Sequence, residues 1–368
     1  MAEIKKKIVS ISMVKNEEDI IESFVRYNIN ILDEMIILDN NSNDNTLKIL
    51  KLLKDEGLPV FIYKDKKTEY EQFIQTNCLL LMATNKFNAD VIVPLDADEF
   101  LISSNRGNPR KILENIGSNT FYSVKWKTYI PDFKDNCEKK FVPSKITFAR
   151  EDILEEYYKV IVPKELVTDY NVKLSKGNHN LIFDQLNENA IKGIICSDLR
   201  IAHFPLRSKE QTISKIAVGW INSHRLDKVK NESFHLQKIF NKLKENEDIK
   251  NEDVINYAKE YALKNEVTPI NLIEDPIDLS FCTCTEIIYS QSKVKPISNL
   301  LTTFESISKL NLELKKESFD NIAGLIAEKK CLESKINLYE NSLSWKITTP
   351  IRKIGKIYRI CKLMLKEI

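Results

Sequence analysis

The sequence predicts an α/β fold with a mixed, mainly parallel sheet, flanking helices and a C-terminal helical extension. Over residues 1–105, short apolar segments alternate with segments that have helical apolar spacing. Strands separated by helices of this length form right-handed βαβ units on a parallel sheet. Over residues 304–343, apolar side chains recur at three- and four-residue steps, which is typical of a long helix or a coiled coil.

The order of the elements locates the expected ligand site. Gly57 and Pro59 end the second predicted helix. Ligands on open α/β sheets bind beyond the carboxyl ends of the strands, so functional residues are expected there. The predicted strands are 7–14, 34–39, 60–64, 90–95, 120–129, 158–162 and 199–204, and the predicted helices are 19–32, 45–56, 68–87 and 208–223.

Composition excludes several classes of protein. The net charge of +2 over 368 residues gives no general affinity for nucleic acid. Seven scattered cysteines without CxxC spacing indicate a reduced, intracellular protein rather than a disulfide framework or a zinc module. The first residues lack the apolar core of a signal peptide, and no run approaches the roughly 18 apolar residues of a spanning helix. Only eight glycines are present, and neither a P-loop nor a GxGxxG motif occurs.

Acidic residues follow two of the predicted strands. Asp39 ends the second strand, and Asp96 and Asp98 follow the fourth. Two positions apart on an extended segment, Asp96 and Asp98 are expected to face the same side. Converging carboxylates are costly unless a cation or hydrogen-bond donors neutralise them, and Mg²⁺ or Mn²⁺ is the usual cation. The alternative is that both cap a helix or lie in solvent.

Three motifs in order resemble the family 2 glycosyltransferases of the GT-A (Rossmann-like) fold. The chain is most similar to the branch whose Asp-x-Asp is followed by Glu-Phe. Two later segments share a weaker likeness, and a C-terminal segment is similar to a tail of bacterial surface-polysaccharide glycosyltransferases. In order, the motifs are 13–20 (MVKNEEDI), 39–46 (DNNSNDNT) and 96–100 (DADEF), the later segments are 177–179 (GNH) and 200–208 (RIAHFPLRS), and the tail segment is 344–352 (SWKITTPIR).

This resemblance implies a metal-dependent hexosyltransferase that uses a nucleoside diphosphate sugar, most simply one linked to UDP. Asp39 would accept a hydrogen bond from the base or ribose, and Asn16 and Glu17 would line the same pocket. Asp96 would face the ribose and the metal.

The resemblance also implies the metal site. Asp98 would ligate Mn²⁺ or Mg²⁺ with Asp96 nearby, and His203 would complete the site or contact the diphosphate. Arg207 would stabilise the departing phosphate charge. For His203, the alternative is a core histidine at a strand end.

The catalytic base and the acceptor site are less sharply defined by the sequence. Inversion would require a carboxylate to take the acceptor's proton. Asp152, in the pair Glu151-Asp152, and Asp198, before the metal histidine, are the candidates, and the stereochemical outcome stays open. His179 and Trp126 are candidates for the acceptor cleft, with a core position as the alternative for Trp126.

The pattern along the chain and the resemblance together predict five parts. These are 1–105 (nucleotide-sugar-binding half), 106–235 (acceptor-binding half), 236–300 (helical and irregular extension), 301–343 (long helix or coiled coil) and 344–368 (basic amphipathic tail). A homo-oligomer through 301–343 is a further expectation.

The last residues predict a membrane-surface helix. Residues 350–368 contain six Lys or Arg against the single acid Glu367, a net charge of +5 before the terminal carboxylate. With Pro350 in its first turn, this helix would have one apolar face and would bind anionic lipid. We therefore expect a cytoplasmic protein, peripheral on the inner face of a bacterial membrane, acting on a glycan, lipid-linked or protein acceptor. The alternative is that the stripe packs on the catalytic domain or a partner.

Two other functions share parts of this pattern. A sugar nucleotidyltransferase has a similar sheet and acidic pair, but it needs a glycine-rich loop after the first strand, where this chain has residues 12–16 (SMVKN). A non-catalytic relative, acting as a membrane-tethered assembly subunit, would not require an intact acidic pair.

Overall fold

The computed structural model describes residues 5–65, 72–133, 140–151, 157–183, 191–225, 240–245, 247–263, 269–290 and 294–364. The chain forms two compact units, Met1–Phe304 and Glu305–Ile368. The first contains the sheet and its flanking helices, and the second is helical. The predicted α/β class with a C-terminal helical extension is confirmed.

Four parallel strands form the N-terminal half of the sheet, in the order β3-β2-β1-β4. Along β1, Ile8 and Val14 pack into the core on one face, and Val9 and Ile11 pack into the core on the other. Burial on both faces explains why these strands are continuous apolar runs. The strands are β1 (Ile8–Val14), β2 (Glu34–Asp39), β3 (Val60–Lys64) and β4 (Val91–Pro94).

The later strands extend this sheet from β4 and determine the position of His203. β8 pairs antiparallel with β4, and β6 pairs antiparallel with β8. β11 runs parallel to β6 and antiparallel to β5, so His203 lies opposite both Glu99 and Thr128. The strands are β5 (Glu99–Ser103), β6 (Thr120–Ile130), β7 (Phe148–Arg150), β8 (Tyr158–Pro163), β11 (Lys192–His203) and β12 (Leu272–Glu274), with a separate hairpin of β9 (Lys173–Leu174) and β10 (Leu181–Ile182).

The predicted helices of the first unit are present, with slightly different ends. In α2, Ile49, Leu50 and Leu53 are buried, as the apolar spacing predicts. The helices are α1 (Ile21–Asn28), α2 (Thr46–Asp55), α3 (Gln72–Asn85), α4 (Arg110–Glu114), α5 (Val142–Lys145), α6 (Lys164–Thr168), α7 (Lys209–Arg225) and α8 (Asn251–Glu260).

Two helices form the C-terminal part of the chain, α9 (Pro296–Asn341) and α10 (Leu343–Met364). Pro350 was expected in the first turn of the tail helix, and this expectation is wrong because the helix already begins at Leu343. A proline inside a helix removes one backbone hydrogen bond. Arg352 donates to the carbonyl oxygen of Trp345, which adds a side-chain hydrogen bond in that turn. No helix in the described ranges is both long and apolar enough to cross a bilayer.

Candidate active site

The acidic motif forms a turn between β4 and β5. The expectation that Asp96 and Asp98 face the same side of an extended segment is wrong, because residues 97 and 98 form a turn and the two side chains have different partners. Asp96 Oδ2 accepts a hydrogen bond from Lys159 Nζ at 2.6 Å. Lys159, from β8, is almost completely buried and also lies 3.2 Å from Glu99 Oε1.

Asp98 is the centre of a charged cluster. Its Oδ2 lies 3.1 Å from Lys215 Nζ, 3.8 Å from His203 Nε2 and 3.9 Å from Arg207 Nη1. The register of β11 on β5 brings His203 there, and the backbone N–H of Phe204 donates to the carbonyl oxygen of Asp98 at 2.8 Å. Burial alone would raise the pKa of Asp98, but the cations around it, Lys215 foremost, hold that pKa well below its usual range.

His203 is a buried, neutral imidazole in this cluster. Burial lowers the pKa of His203 to about 3. Its ring stacks on Trp126 with the centroids 4.1 Å apart, and its Nδ1 is buried without a hydrogen-bond partner among the described residues. A neutral imidazole beside a carboxylate is chemically suited to bind a divalent metal.

Arg207 is fully engaged by acidic side chains. Its Nε and Nη2 donate to the two carboxylate oxygens of Asp19 at 2.7 and 2.9 Å, and Nη2 also donates to Glu17 Oε2 at 2.7 Å. Its Nη1 donates to the carbonyl oxygen of Phe204. Only 3% of its side chain is exposed. Burial raises the pKa of Glu17 to about 7. Arg207 thus links the loop after β1 to the segment after β11.

The loops after β1 and β2 are joined by hydrogen bonds. The N–H of Asn43 donates to Asn16 Oδ1 at 2.8 Å, and the N–H of Glu17 donates to Thr46 Oγ1 at 2.8 Å. Asn16 has a φ of 57°, which asparagine tolerates better than most residues. Asp39 is buried, and its Oδ1 has no hydrogen-bond partner among the described residues. The carboxyl ends of β1 and β2 therefore contain an unsatisfied acceptor.

Aromatic side chains pack against His203 and against each other. Trp126 contacts His179 with ring centroids 5.4 Å apart, and both rings contact Tyr157. His179 Nδ1 donates to the carbonyl oxygen of Tyr158 at 2.7 Å. Glu99 fixes the indole by accepting a hydrogen bond from Trp126 Nε1 at 2.8 Å. The two predicted acceptor residues, Trp126 and His179, thus lie together, and Trp126 joins them to His203.

Of the two candidate catalytic bases, only Asp198 lies among the described residues. Asp152 lies outside the described residues. Asp198 is exposed on β11, five residues before His203, or roughly 16 Å along an extended strand. The structure therefore does not place Asp198 beside Asp98. In the described part of the chain, no group of three or more His, Cys, Asp or Glu side chains is arranged to hold a metal ion.

Sequence reasoning missed the lysines of the site. Lys159 interrupts the apolar strand 158–163, and an isolated lysine in such a strand is a signal of a buried ion pair. Lys215 follows Gln211 by four residues on α7, so the two lie on one face of the helix, and Gln211 Oε1 accepts a hydrogen bond from the N–H of Arg207 at 3.2 Å. The four-residue spacing of Gln211 and Lys215, directly after the motif that contains His203 and Arg207, is the sequence signal that could have linked Lys215 to this site.

The N-terminal part of this site lies in a segment that matches a known protein family. Residues 11–106 match the model of Glycosyl transferase family 2. This family 2 segment contains Asn16, Glu17, Asp39, Asp96 and Asp98. The predicted family resemblance is therefore confirmed for this segment, and His203, Arg207 and Lys215 lie outside the match. No curated protein matches the chain.

Two solved structures are similar to the chain at low identity. A structure of GalNAc-T7 with UDP, GalNAc and Mn²⁺ is 14% identical, with a TM-score of 0.36, over 56% of this chain and 45% of that one. The mannosyltransferase PcManGT from Pyrobaculum calidifontis, in complex with GDP-Man and Mn²⁺, is 15% identical, with a TM-score of 0.37, over 70% of both chains. The chain thus spans about half the length of GalNAc-T7. Neither likeness supports a conclusion about this chain.

Proposed function

We propose that this protein is a glycosyltransferase that moves a hexose from a nucleoside diphosphate sugar, with UDP as the preferred nucleotide, to a glycan, lipid-linked or protein acceptor. The observation that carries the proposal is the pairing of Asp98 in the family 2 segment with the neutral His203 at 3.8 Å. The aromatic residues beside His203 support an acceptor cleft on that side, because aromatic rings present apolar faces with polar edges.

The residues at Asp98 fit a divalent metal. Asp98 offers a carboxylate oxygen, and His203 offers a ring nitrogen whose lone pair is free at neutral pH. Mn²⁺ and Mg²⁺ favour oxygen ligands and are often completed by substrate phosphates. With two protein ligands, the remaining positions would be filled by the donor's diphosphate and water.

Different side chains of the site would bind different parts of the donor. A bound metal would supply the positive charge that stabilises the departing diphosphate. Asp39 would hold the base or ribose, since its buried Oδ1 lacks a donor. Lys159 holds Asp96 at the edge of the same turn, where the side chain is 36% exposed and accessible to the ribose. The parts 1–105 and 106–235 would then contribute the donor and acceptor sides respectively.

The proposed function is tested by calorimetry with a panel of nucleotide sugars in the presence of Mn²⁺. We expect one uridine diphosphate sugar to bind, and its hydrolysis or transfer to be detected on prolonged incubation. Absence of binding by every nucleotide sugar in the panel would contradict the proposal and would favour the non-catalytic assembly subunit.

Asp39→Asn should weaken the binding of uridine nucleotides. The carboxylate would accept a hydrogen bond from the nucleoside, and losing a hydrogen bond to a charged group lowers affinity by about 10- to 100-fold. Calorimetry with UDP would measure this change. Asp55→Asn, an exposed aspartate on α2, is the matched control. Equal UDP affinity in Asp39→Asn and the wild type would contradict the role of Asp39.

We also propose that the basic tail, residues 344–368, holds the protein on an anionic membrane. Each basic residue near such a surface contributes on the order of 1 kcal/mol. The full chain should sediment with anionic liposomes in low salt and be released as salt rises. A chain truncated after Ser344 should remain in the supernatant yet turn over a soluble acceptor. Failure of the full chain to bind these liposomes would contradict the proposal, as would equal binding by the truncated chain.

A further inference from the structure

Among the described basic side chains around Asp98, Lys215 lies nearest to its carboxylate. Its Nζ donates to Asp98 Oδ2 at 3.1 Å and to the carbonyl oxygen of Pro205 at 3.0 Å. Among the described residues these are its hydrogen-bond acceptors, so one of the three N–H groups of the ammonium is available to a ligand. The ammonium also lies 5.3 Å from the centre of the Tyr261 ring.

Lys215 and Arg207 differ in their freedom to contact a ligand. The Arg207 side chain is 3% exposed and is held by Asp19, Glu17 and a backbone carbonyl, so it is not free to contact a phosphate. The Lys215 side chain is 31% exposed and is carried on a flexible four-carbon stem. Lys215 is therefore the cation of this cluster that can move to a bound anion.

A divalent ion at Asp98 would compete with the Lys215 ammonium for the same carboxylate. Their charges have the same sign and would lie within a few ångströms of each other in a buried site, where screening is weak. A diphosphate supplies negative charge to both cations. Its arrival with the metal therefore gives the displaced ammonium a new partner.

We propose that Lys215 is an exchangeable cation: it holds Asp98 before the donor binds, and it binds the donor's diphosphate once a divalent ion has taken its place. This inference rests on the proposed function, because it assigns a diphosphate ligand within the same site. It transfers the phosphate-binding role expected of Arg207 to Lys215, and it leaves Arg207 to position the loops.

The experiment compares Lys215→Met with the wild type by calorimetry. Methionine keeps an unbranched side chain but removes the charge. With Mn²⁺ alone, the variant should bind the metal more tightly, because a competing cation at Asp98 is gone. With Mn²⁺ and UDP, the variant should bind the nucleotide about 10- to 100-fold more weakly, whereas its affinity for uridine should not change.

Lys209→Met is the matched control. Lys209 lies on the same helix and pairs with Asp248 at 2.7 Å, away from Asp98. It should change neither metal nor UDP affinity. An unchanged Mn²⁺ affinity in Lys215→Met would overturn the exchange at Asp98, and an equal loss of UDP and uridine affinity would overturn the diphosphate contact.

The experiment also distinguishes an error in the proposed donor from an error in the proposed exchange of Lys215. If the wild type binds no uridine nucleotide even with Mn²⁺, the proposed donor is wrong. The Mn²⁺ affinity measured without nucleotide still tests the exchange at Asp98. Tighter Mn²⁺ binding by Lys215→Met than by the wild type supports the exchange, and equal Mn²⁺ binding overturns it.

Discussion

Asp98→Asn should lower sugar transfer by roughly 100-fold or more, because it weakens the binding of the divalent ion that would stabilise the charge developing on the diphosphate. The substitution removes a metal ligand and keeps the shape of the side chain. Turnover of the nucleotide sugar with Mn²⁺ measures the loss, and a chelator should have a similar effect on the wild type. Full turnover in chelator, or in Asp98→Asn, would contradict the role of the metal.

The loss of sugar transfer in Asp98→Asn must be distinguished from a loss of folded protein. Asp98 is enclosed by Lys215 and Arg207, so its neutralisation leaves two cations without their shared carboxylate. Circular dichroism at the assay temperature should therefore accompany the assay. Asp55→Asn controls for the loss of an exposed aspartate that has no such partners among the described residues, and it should keep wild-type turnover.

Glu22→Ala should lower the free energy of unfolding by about 3–5 kcal/mol, the cost of removing one partner from a buried ionic network. Glu22 is fully buried on α1 and accepts hydrogen bonds from Arg26 Nε at 2.9 Å and from three successive backbone N–H groups. Those groups belong to residues 288–290 and lie 2.7 to 2.9 Å from the carboxylate. Urea denaturation would measure the change.

Two further variants isolate the cause. Glu22→Gln keeps the volume, yet it should also destabilise the protein, because every partner of this carboxylate is a donor and an amide nitrogen would face one of them. Glu56→Gln removes a partly exposed partner of the same Arg26 and should cost about 1 kcal/mol or less. Equal effects at Glu22 and Glu56 would contradict the importance of the backbone contacts.

The first four strands could be predicted from the sequence because strands buried on both faces are continuous apolar runs. Strand β5 could not be predicted, because its first residue is Glu99 and a glutamate rarely begins a buried strand. Glu99 is nevertheless fully buried, and burial raises its pKa to about 8. Its hydrogen bonds to Trp126 Nε1 and to the N–H of Asp96 become visible only when β6 is placed beside the turn.

The site likewise contains some residues that could be predicted from the sequence and others that are harder to predict. Asp39 and Asp98 could be found because Asp39 ends one apolar strand and Asp98 follows another, and His203 through the resemblance of residues 200–208 to the family. Lys159 and Lys215 are harder to assign, since a lysine in the sequence is most simply a surface residue and the local pattern around each does not name its acidic partner. Their roles depend on pairing between distant segments, of β8 with β4 and of α7 with the acidic turn.

The charges of the acidic turn have a consequence for the order in which the protein can fold. Asp96, Asp98 and Glu99 lie in the N-terminal part of the chain, whereas Lys159, Arg207 and Lys215, the cations that contact them, all lie beyond residue 106. A ribosome therefore releases the three acids long before any of these partners. The turn can reach its native arrangement only after residue 215 has left the exit tunnel, so the two halves of the first unit are expected to fold together rather than in sequence.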